Sequence, residues 1–157
     1  MSAVASGPDP LWFTDNIARI HVTGEQTRGA FCVVEMEGRR GSMPPLHVHR
    51  RDEESFFVLD GELVLFVGEE EIRLAAGGCV VAPRDVPHTY RVESEQARWV
   101  DLNAPAGFER FVAEVAVPAA GEGLPPAGRA SDPAALAAAA AAQGIEILGP
   151  PGTLPRA

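Results

Sequence analysis

The sequence predicts a mainly β protein, a sandwich or barrel of short strands followed by one or two C-terminal helices. The first observation is that short runs rich in β-branched and aromatic residues fill the chain up to Leu102. The second is that turn signals separate these runs at intervals of roughly 8–12 residues, which is typical of sandwiches and barrels rather than of βαβ folds. The third is that the apolar residues after Pro105 follow a helical spacing.

The predicted strands are bounded by glycine, proline and acidic turn residues. Asp60-Gly61 is a strong signal for a two-residue hairpin, because glycine tolerates positive φ. Pro44-Pro45 and Pro83 end other apolar runs. The strands are expected at residues 31–37, 46–50, 56–59, 62–67, 72–74, 79–82, 88–92 and 98–102.

Two helices are predicted after the strands. The first presents Phe108, Phe111, Val112 and Val115 at positions i, i+3, i+4 and i+7, and is expected to pack over the barrel. The second has Asp132 as its cap and Pro133 at its first position, continues as an alanine-rich surface helix over residues 134–143, and ends at Gly144. We therefore divide the chain into an N-terminal arm with strands (1–27), a barrel with its capping helix (28–117), and a linker, helix and loose tail (118–157, loose after Gly149).

Length, charge and cysteine content narrow the class of protein. A chain of 157 residues with 46% hydrophobic residues fits one globular domain. The net charge of −9 opposes binding to nucleic acids and to anionic membranes. The N-terminus lacks a basic stretch followed by an apolar one, so no signal peptide is expected, and a cytoplasmic location is predicted. Cys32 and Cys79 are expected to be buried, reduced thiols.

The histidines indicate a metal site. The chain has four, and His47 and His49 share one predicted strand. Because side chains alternate along a strand, both imidazoles face the same side and form a pair of metal ligands. Glu54 opens the next strand and can return a carboxylate to the same interior, while Glu53 is the less favoured alternative because it belongs to a charged turn. His88 follows a proline-bounded loop. His21, isolated in another strand, is interpreted as an ordinary strand or pocket residue.

These residues carry a resemblance to the cupin superfamily. Its first motif is matched by Gly41, His47, His49, Glu54 and Gly61, and its second by Gly77, Pro83 and His88. The second motif departs at two positions, where Asp85 replaces glycine and Val92 replaces asparagine; neither change removes a ligand. The resemblance implies a jelly-roll β-barrel around a central cavity. It also implies a homodimer that exchanges an N-terminal strand, for which residues 11–22 are suited.

Further stretches resemble the single-domain bacterial cupins described as quercetin 2,3-dioxygenase-like. They are Pro44–His49, Phe56–Glu62, Pro105–Glu109 and Gly144–Pro150. This likeness implies a dioxygenase that uses O₂ on a flavonol, enol or catechol-like small molecule. The alternatives are a non-redox isomerase, lyase or polyketide cyclase with the same ligands, and a small-molecule-binding module.

A site of three histidines and one glutamate suits one divalent Fe, Mn, Co, Ni, Cu or Zn ion, among which the sequence does not choose. Its open positions are typical of catalytic rather than structural sites. Glu54 is expected to act as fourth ligand, as the base that takes the substrate proton, or as both. The predicted pocket wall consists of Met43, Phe56, Phe66, Tyr90 and Trp99.

Overall fold

The computed structural model describes residues 5–129 and 131–156, and these form twelve strands and two helices. In chain order the elements are β1 (Leu11–Phe13), β2 (Asn16–Val22), β3 (Cys32–Arg39), β4 (Pro45–His49), β5 (Glu53–Asp60), β6 (Glu62–Val67), β7 (Glu70–Ala75), β8 (Cys79–Ala82), β9 (His88–Val92), β10 (Gln96–Ala104), α1 (Phe108–Val115), β11 (Val117–Pro118), α2 (Pro133–Ala142) and β12 (Ile145–Pro151).

The strands form two antiparallel sheets. One sheet has seven strands in the order β11-β1-β2-β3-β10-β5-β8, and the other has five in the order β12-β4-β9-β6-β7. Strands that follow one another in the chain often lie in different sheets, so the two sheets are joined repeatedly. This two-sheet arrangement is the predicted jelly roll, and the prediction of a mainly β fold with two C-terminal helices is confirmed.

The core lies between the two sheets because each strand buries alternate side chains. On β10 the buried positions are Ala97, Trp99, Asp101 and Asn103, while Arg98 and Leu102 are exposed. Apolar side chains from both sheets complete this core; they include Met36, Phe56, Val58, Leu63, Leu65 and Tyr90. The polar members of β10 are therefore exceptions within an apolar interior.

Both predicted helices are present. Phe108, Phe111 and Val112 on α1 are buried, and Val115 packs partly against the same core. Helix α1 begins at Phe108 after Gly107, three residues later than Pro105. Asp132 caps α2, its side chain accepting a hydrogen bond from the Ala134 amide at 3.0 Å. Leu136, Ala139 and Ala140 of α2 are buried, so its small residues pack closely, as predicted.

Four features differ from the expectation. Asp60-Gly61 does not close a hairpin, because the two strands that it joins, β5 and β6, lie in different sheets. Strand β12 continues two residues past Gly149, where a loose tail was predicted, because its backbone pairs with β4. The short pairing of β11 with β1 adds a strand at the boundary between the predicted barrel segment and the predicted linker. Cys32 is buried as expected, but Cys79 is exposed, because β8 lies at the edge of its sheet; both thiols are free.

The N-terminal strands pair within the chain itself. β2 forms a hairpin with β1 and pairs with β3 of the same molecule. The exchange of residues 11–22 between two copies stays a prediction. Among the described residues no helix combines the length and hydrophobicity needed to cross a membrane.

Candidate metal centre

Strand β4 places two histidines side by side. The ring centroids of His47 and His49 are 5.3 Å apart, as expected for alternate residues on one strand face. His88 lies directly opposite His47 in the β4–β9 ladder, and these two ring centroids are 4.5 Å apart. The five-stranded sheet therefore supplies all three imidazoles.

Glu54 reaches the same point from the seven-stranded sheet. Its Oε2 lies 2.9 Å from His88 Nε2, 3.2 Å from His49 Nε2 and 3.8 Å from His47 Nε2. The ligand atoms of the four residues all lie within 4.8 Å of one another. Glu54, His49 and His88 are buried and His47 is partly buried, so the cluster is shielded from solvent.

Each imidazole is held by its other nitrogen. His47 Nδ1 lies 2.8 Å from the Pro45 carbonyl, and His88 Nδ1 lies 2.9 Å from the Val86 carbonyl. A carbonyl only accepts, so these Nδ1 atoms donate, and the Nε2 atom of the neutral ring then presents its lone pair to the cluster, as a metal ligand must.

His49 is oriented by a carboxylate instead. Its Nδ1 lies 2.9 Å from Asp52 Oδ2, and that oxygen also accepts a hydrogen bond from Asn103 Nδ2 at 2.8 Å. Asp52 and Asn103 are buried. Such a carboxylate–histidine pair is common around metal ligands, where it orients the ring and increases its basicity.

The donor set fits a divalent metal ion. Two ligand atoms bonded to a metal at about 2.1 Å and at right angles lie about 3 Å apart, close to the spacings of Glu54 from His88 and His49. His49 Nε2 is buried and has no hydrogen-bond partner among the described residues, which is expected of an atom whose natural partner is a cation. The cluster could thus hold one divalent ion.

In the metal-free centre, burial and the close pairing of charged groups shift the pKa values of the cluster residues. Burial raises the pKa of Glu54, but the three imidazoles outweigh it and hold the pKa well below its ordinary value. Burial lowers the pKa of His49, but Glu54 and Asp52 raise it to about 10. Burial and the neighbouring His88 lower the pKa of His47. Without a metal, one buried proton at His49 balances the charge of Glu54.

The remaining acidic and histidine candidates lie outside this cluster. Glu53 is half-exposed and accepts a hydrogen bond from Arg84 at 2.9 Å. His21 lies 3.7 Å from Glu35 Oε2 and is also partly exposed. Sequence reasoning missed Asp52, Asn103 and Asp101. The sequence did contain a sign of them. Asp101 and Asn103 occupy the same face of β10 as Trp99, two and four residues after it, and Asp52 follows His49 by three residues.

A cavity of about 950 Å³ opens onto the metal cluster. Met43 and Tyr90 line it, whereas Phe56, Phe66 and Trp99 do not. Phe56 and Trp99 lie within the core, and the Phe66 ring stacks under the Arg91 guanidinium at 5.6 Å. Much of the apolar wall comes from β1, the two helices and β12, together with one residue of β3. These residues include Phe13, Met36, Phe108, Phe111, Leu136 and Ile145.

Comparison with known proteins agrees with this architecture. The family described as Cupin domain matches residues 33–103, which contain all four cluster residues. Quercetin 2,3-dioxygenase from Bacillus subtilis (strain 168) is 31% identical over 140 residues, or 89% of this chain. The chain spans only 40% of the length of that relative.

Solved structures show the same fold. A predicted oxalate decarboxylase from Thermotoga maritima aligns with a TM-score of 0.60 and 16% identity, over 67% of this chain and 99% of its own. The polyketide cyclase RemF from Streptomyces resistomycificus aligns with a TM-score of 0.52 and 18% identity, over 66% and 79%. The two-sheet fold, the motif residues and the family match identify residues 33–103 as a cupin domain. Within the cupin superfamily, the chain is similar in sequence to quercetin 2,3-dioxygenase.

Proposed function

We propose that this protein is a metal-dependent dioxygenase of the quercetinase type, acting on a flavonol, enol or catechol-like small molecule. One observation carries the proposal: three imidazole nitrogens and one carboxylate converge at the wall of a mostly apolar cavity of about 950 Å³. The similarity to quercetin 2,3-dioxygenase supports the choice of substrate class and of O₂ as co-substrate.

The proposed ligands are His47, His49, His88 and Glu54. A bound divalent Fe, Mn, Co, Ni, Cu or Zn ion would supply Lewis acidity at a substrate oxygen and, if redox-active, reactivity with O₂. Four protein ligands leave one or two positions free on a five- or six-coordinate ion, as a catalytic site requires.

Glu54 is the proposed catalytic base. Its low pKa keeps it ionised near neutral pH, so it can accept the proton of a substrate hydroxyl that enters the cluster. Its Oε2 already lies within 4 Å of all three Nε2 atoms, so a substrate oxygen placed among these atoms would also be near the carboxylate. The same group can serve as ligand and base.

The cavity wall has two roles in this proposal. Phe108 and Phe111 of α1 and Leu136 of α2 provide an apolar surface suited to an aromatic ring. They also exclude water from the cluster, which strengthens electrostatic interactions between the substrate and Glu54. The helices predicted as packing elements thus become part of the substrate site.

Oxygen uptake provides the direct test. The purified protein is analysed for bound metal and then incubated with quercetin and with catechol while O₂ is followed. We expect metal-dependent uptake that is lost in His49→Ala, whereas the matched control His21→Ala, a histidine outside the cluster, retains it. Turnover without O₂ consumption would instead indicate a non-redox isomerase, lyase or cyclase, and binding without turnover a binding module.

A second variant separates the two roles of Glu54. Glu54→Gln preserves the shape of the side chain but weakens its basicity. Retained metal with uptake reduced at least about 100-fold supports the role of base. Loss of the metal itself would show that Glu54 acts mainly as a ligand. The cytoplasmic location and the homodimer remain predictions; light scattering during gel filtration would test the latter by a mass of twice one chain.

A further inference from the structure

A second group of polar side chains lies inside the barrel, next to the metal cluster. Asp101 is 2% exposed and lines the cavity that contains His47, His49 and Glu54. Its neighbour on the same strand face, Asn103, donates to Asp52. Asp101 Oδ1 has no hydrogen-bond partner within residues 5–129 and 131–156. A buried carboxyl oxygen without a partner is unfavourable, so its presence in an apolar core needs an explanation.

The register of the strands places Asp101 next to a residue of the metal cluster. In the β5–β10 ladder Glu54 pairs with Asn103, and Asp101 pairs with Phe56. Asp101 is therefore the diagonal neighbour of Glu54 on the inward face. Diagonal neighbours on one face have Cα atoms about 7–8 Å apart. This separation is comparable to the distance across an aromatic ring and its substituents.

Tyr90 and Asn16, which share the cavity with Asp101, are engaged with each other, whereas the buried Trp99 Nε1 has no partner among the described residues and is not hydrogen-bonded to Asp101. Tyr90, which also lines the cavity, accepts a hydrogen bond from Asn16 Nδ2 at 3.0 Å. Asn16 Oδ1 in turn accepts one from Ser42 Oγ at 2.8 Å. These bonds fix the orientation of Tyr90 and Asn16, and neither of them involves Asp101. The carboxyl group is thus free to meet a molecule that enters the cavity.

We propose that Asp101 is a substrate-binding residue that hydrogen-bonds a hydroxyl group of a ligand whose other oxygen lies at the metal cluster. This inference rests on the proposed function for the site, and it adds a second polar contact that selects ligands carrying a hydroxyl remote from the metal. Burial and the nearby Glu54 raise the pKa of Asp101 well above its ordinary value. A hydroxyl satisfies the carboxyl group in either protonation state, since it both donates and accepts.

The test compares two flavonols that share the 3-hydroxyl group. Quercetin carries further hydroxyl groups on its rings, and 3-hydroxyflavone carries none. Dissociation constants for both are measured without O₂ on the zinc-loaded full chain, for the wild type, Asp101→Asn and Asp101→Leu. We expect the preference of the wild type for quercetin to fall about three- to tenfold in Asp101→Leu. Asp101→Asn, which still donates and accepts, should retain most of it.

Zinc content and thermal unfolding show that each variant is folded and loaded. If Asp101→Leu does not fold, Asp101→Ala provides the same comparison with less bulk. An unchanged quercetin preference in a folded, zinc-loaded Leu or Ala variant overturns the inference. So does an equal loss of affinity for both flavonols, which would indicate a general structural role. Failure of the wild type to bind either flavonol would overturn it as well.

The oxygen-uptake assay separates this inference from the proposed function. In one outcome, Asp101→Leu loses its preference for quercetin, and the wild type takes up no O₂ when loaded with any of the six metals. This outcome would support the binding role of Asp101 and reject the dioxygenase. In the opposite outcome, the wild type takes up O₂ and the variants keep the preference for quercetin. This outcome would reject the binding role of Asp101 and support the dioxygenase.

Discussion

At the scale of single residues, the metal cluster depends on side chains that never enter it. His47 and His88 are oriented by backbone carbonyls, which no substitution of a side chain removes. His49 depends on the carboxylate of Asp52, which is itself held by Asn103. His49 is therefore the ligand whose orientation a single mutation can disturb most selectively.

Asp52→Ala should weaken metal binding about 10- to 100-fold while leaving all four ligands in place. The His49 ring loses the partner that fixes its orientation and its basicity. A competition titration against a chelating dye measures the change. Glu53→Ala is the matched control, because the adjacent Glu53 is half-exposed and contacts Arg84 rather than the cluster. Equal affinities for the two variants would contradict this role of Asp52.

Asp85 shows how the chain tolerates its departure from the second cupin motif. Its φ is +66°, in the left-handed region where glycine is favoured and aspartate is one of the better-tolerated alternatives. Its amide donates to the His49 carbonyl at 2.9 Å, so this turn is joined directly to a ligand residue. The motif's conformation is thus retained although its glycine is not.

Asp85→Gly is expected to change the free energy of unfolding by less than about 1 kcal/mol, because glycine adopts this φ without strain and the lost Arg50–Asp85 pair is exposed. Asp85→Val should destabilise by about 1–3 kcal/mol, since a β-branched residue is strained there. Urea unfolding of both variants provides the comparison. Equal stability of the glycine and valine variants would show that the backbone can relax out of this conformation.

At the scale of elements, the C-terminal segment supports the site from two directions. β12 pairs with β4, placing Ile145 opposite His49 and Ile147 opposite His47. α2, which immediately precedes it, contributes Leu136 and Ala140 to the cavity wall. Residues 133–151 therefore brace the strand that bears two ligands and also close the cavity.

The cap of α2 can be tested separately. Asp132→Ala should destabilise the protein by about 1 kcal/mol, because the Ala134 amide loses its acceptor at the helix N-terminus. Asp132→Asn, which can still accept this bond, is the control and should unfold near the wild-type midpoint. Thermal unfolding measures both. A wild-type midpoint for Asp132→Ala would mean that packing of Leu136, Ala139 and Ala140 alone holds the helix.

At the scale of the whole molecule, the metal-free centre couples folding to pH. The pKa of His49 is about 10 in the folded chain, above its ordinary 6.5, so protonation favours folding. Its contribution is complete below pH 6.5 and is lost as the pH rises through 10. The pKa of Glu54 is lowered, so its contribution is present above pH 4.5 and is lost as the pH falls through the folded value.

Metal-free protein should therefore lose stability steadily between pH 6.5 and 9, by at most about 1.4 kcal/mol per pH unit from one proton. Cys32 does not interfere in this window, because burial raises its pKa from 9.0 to about 12 and its effect begins only above pH 9. His47, whose pKa is lowered, acts below pH 6.5. Asp101, whose pKa is raised, adds to the decline in both the wild type and the control, so the difference between their slopes measures His49. Urea unfolding across this range, with His49→Gln as control, measures the slope. The same slope in His49→Gln would contradict the assignment.

Local sequence was sufficient for the eight strands β3 to β10, for both helices and for the pairing of His47 with His49. The reason is that periodicity and capping act over a few residues: Asp132 caps a helix with little help from the rest of the chain. The hairpin predicted at Asp60-Gly61 is wrong, because the choice of sheet for each flanking strand depends on the whole fold. The motif spacing likewise selected Glu54 and His88, which converge with the two β4 histidines.

Only the tertiary structure decided which other side chains meet the cluster. Asp52 and Asn103 are 51 residues apart, and they meet because β10 pairs with β5. Phe56 and Trp99 belong to the core rather than the cavity wall, while α1 and α2 supply much of that wall. Such contacts depend on strand register and on helices docking over the barrel, which no local pattern encodes. The sequence by itself determined the fold class and the four converging residues, and the folded chain decided what surrounds them.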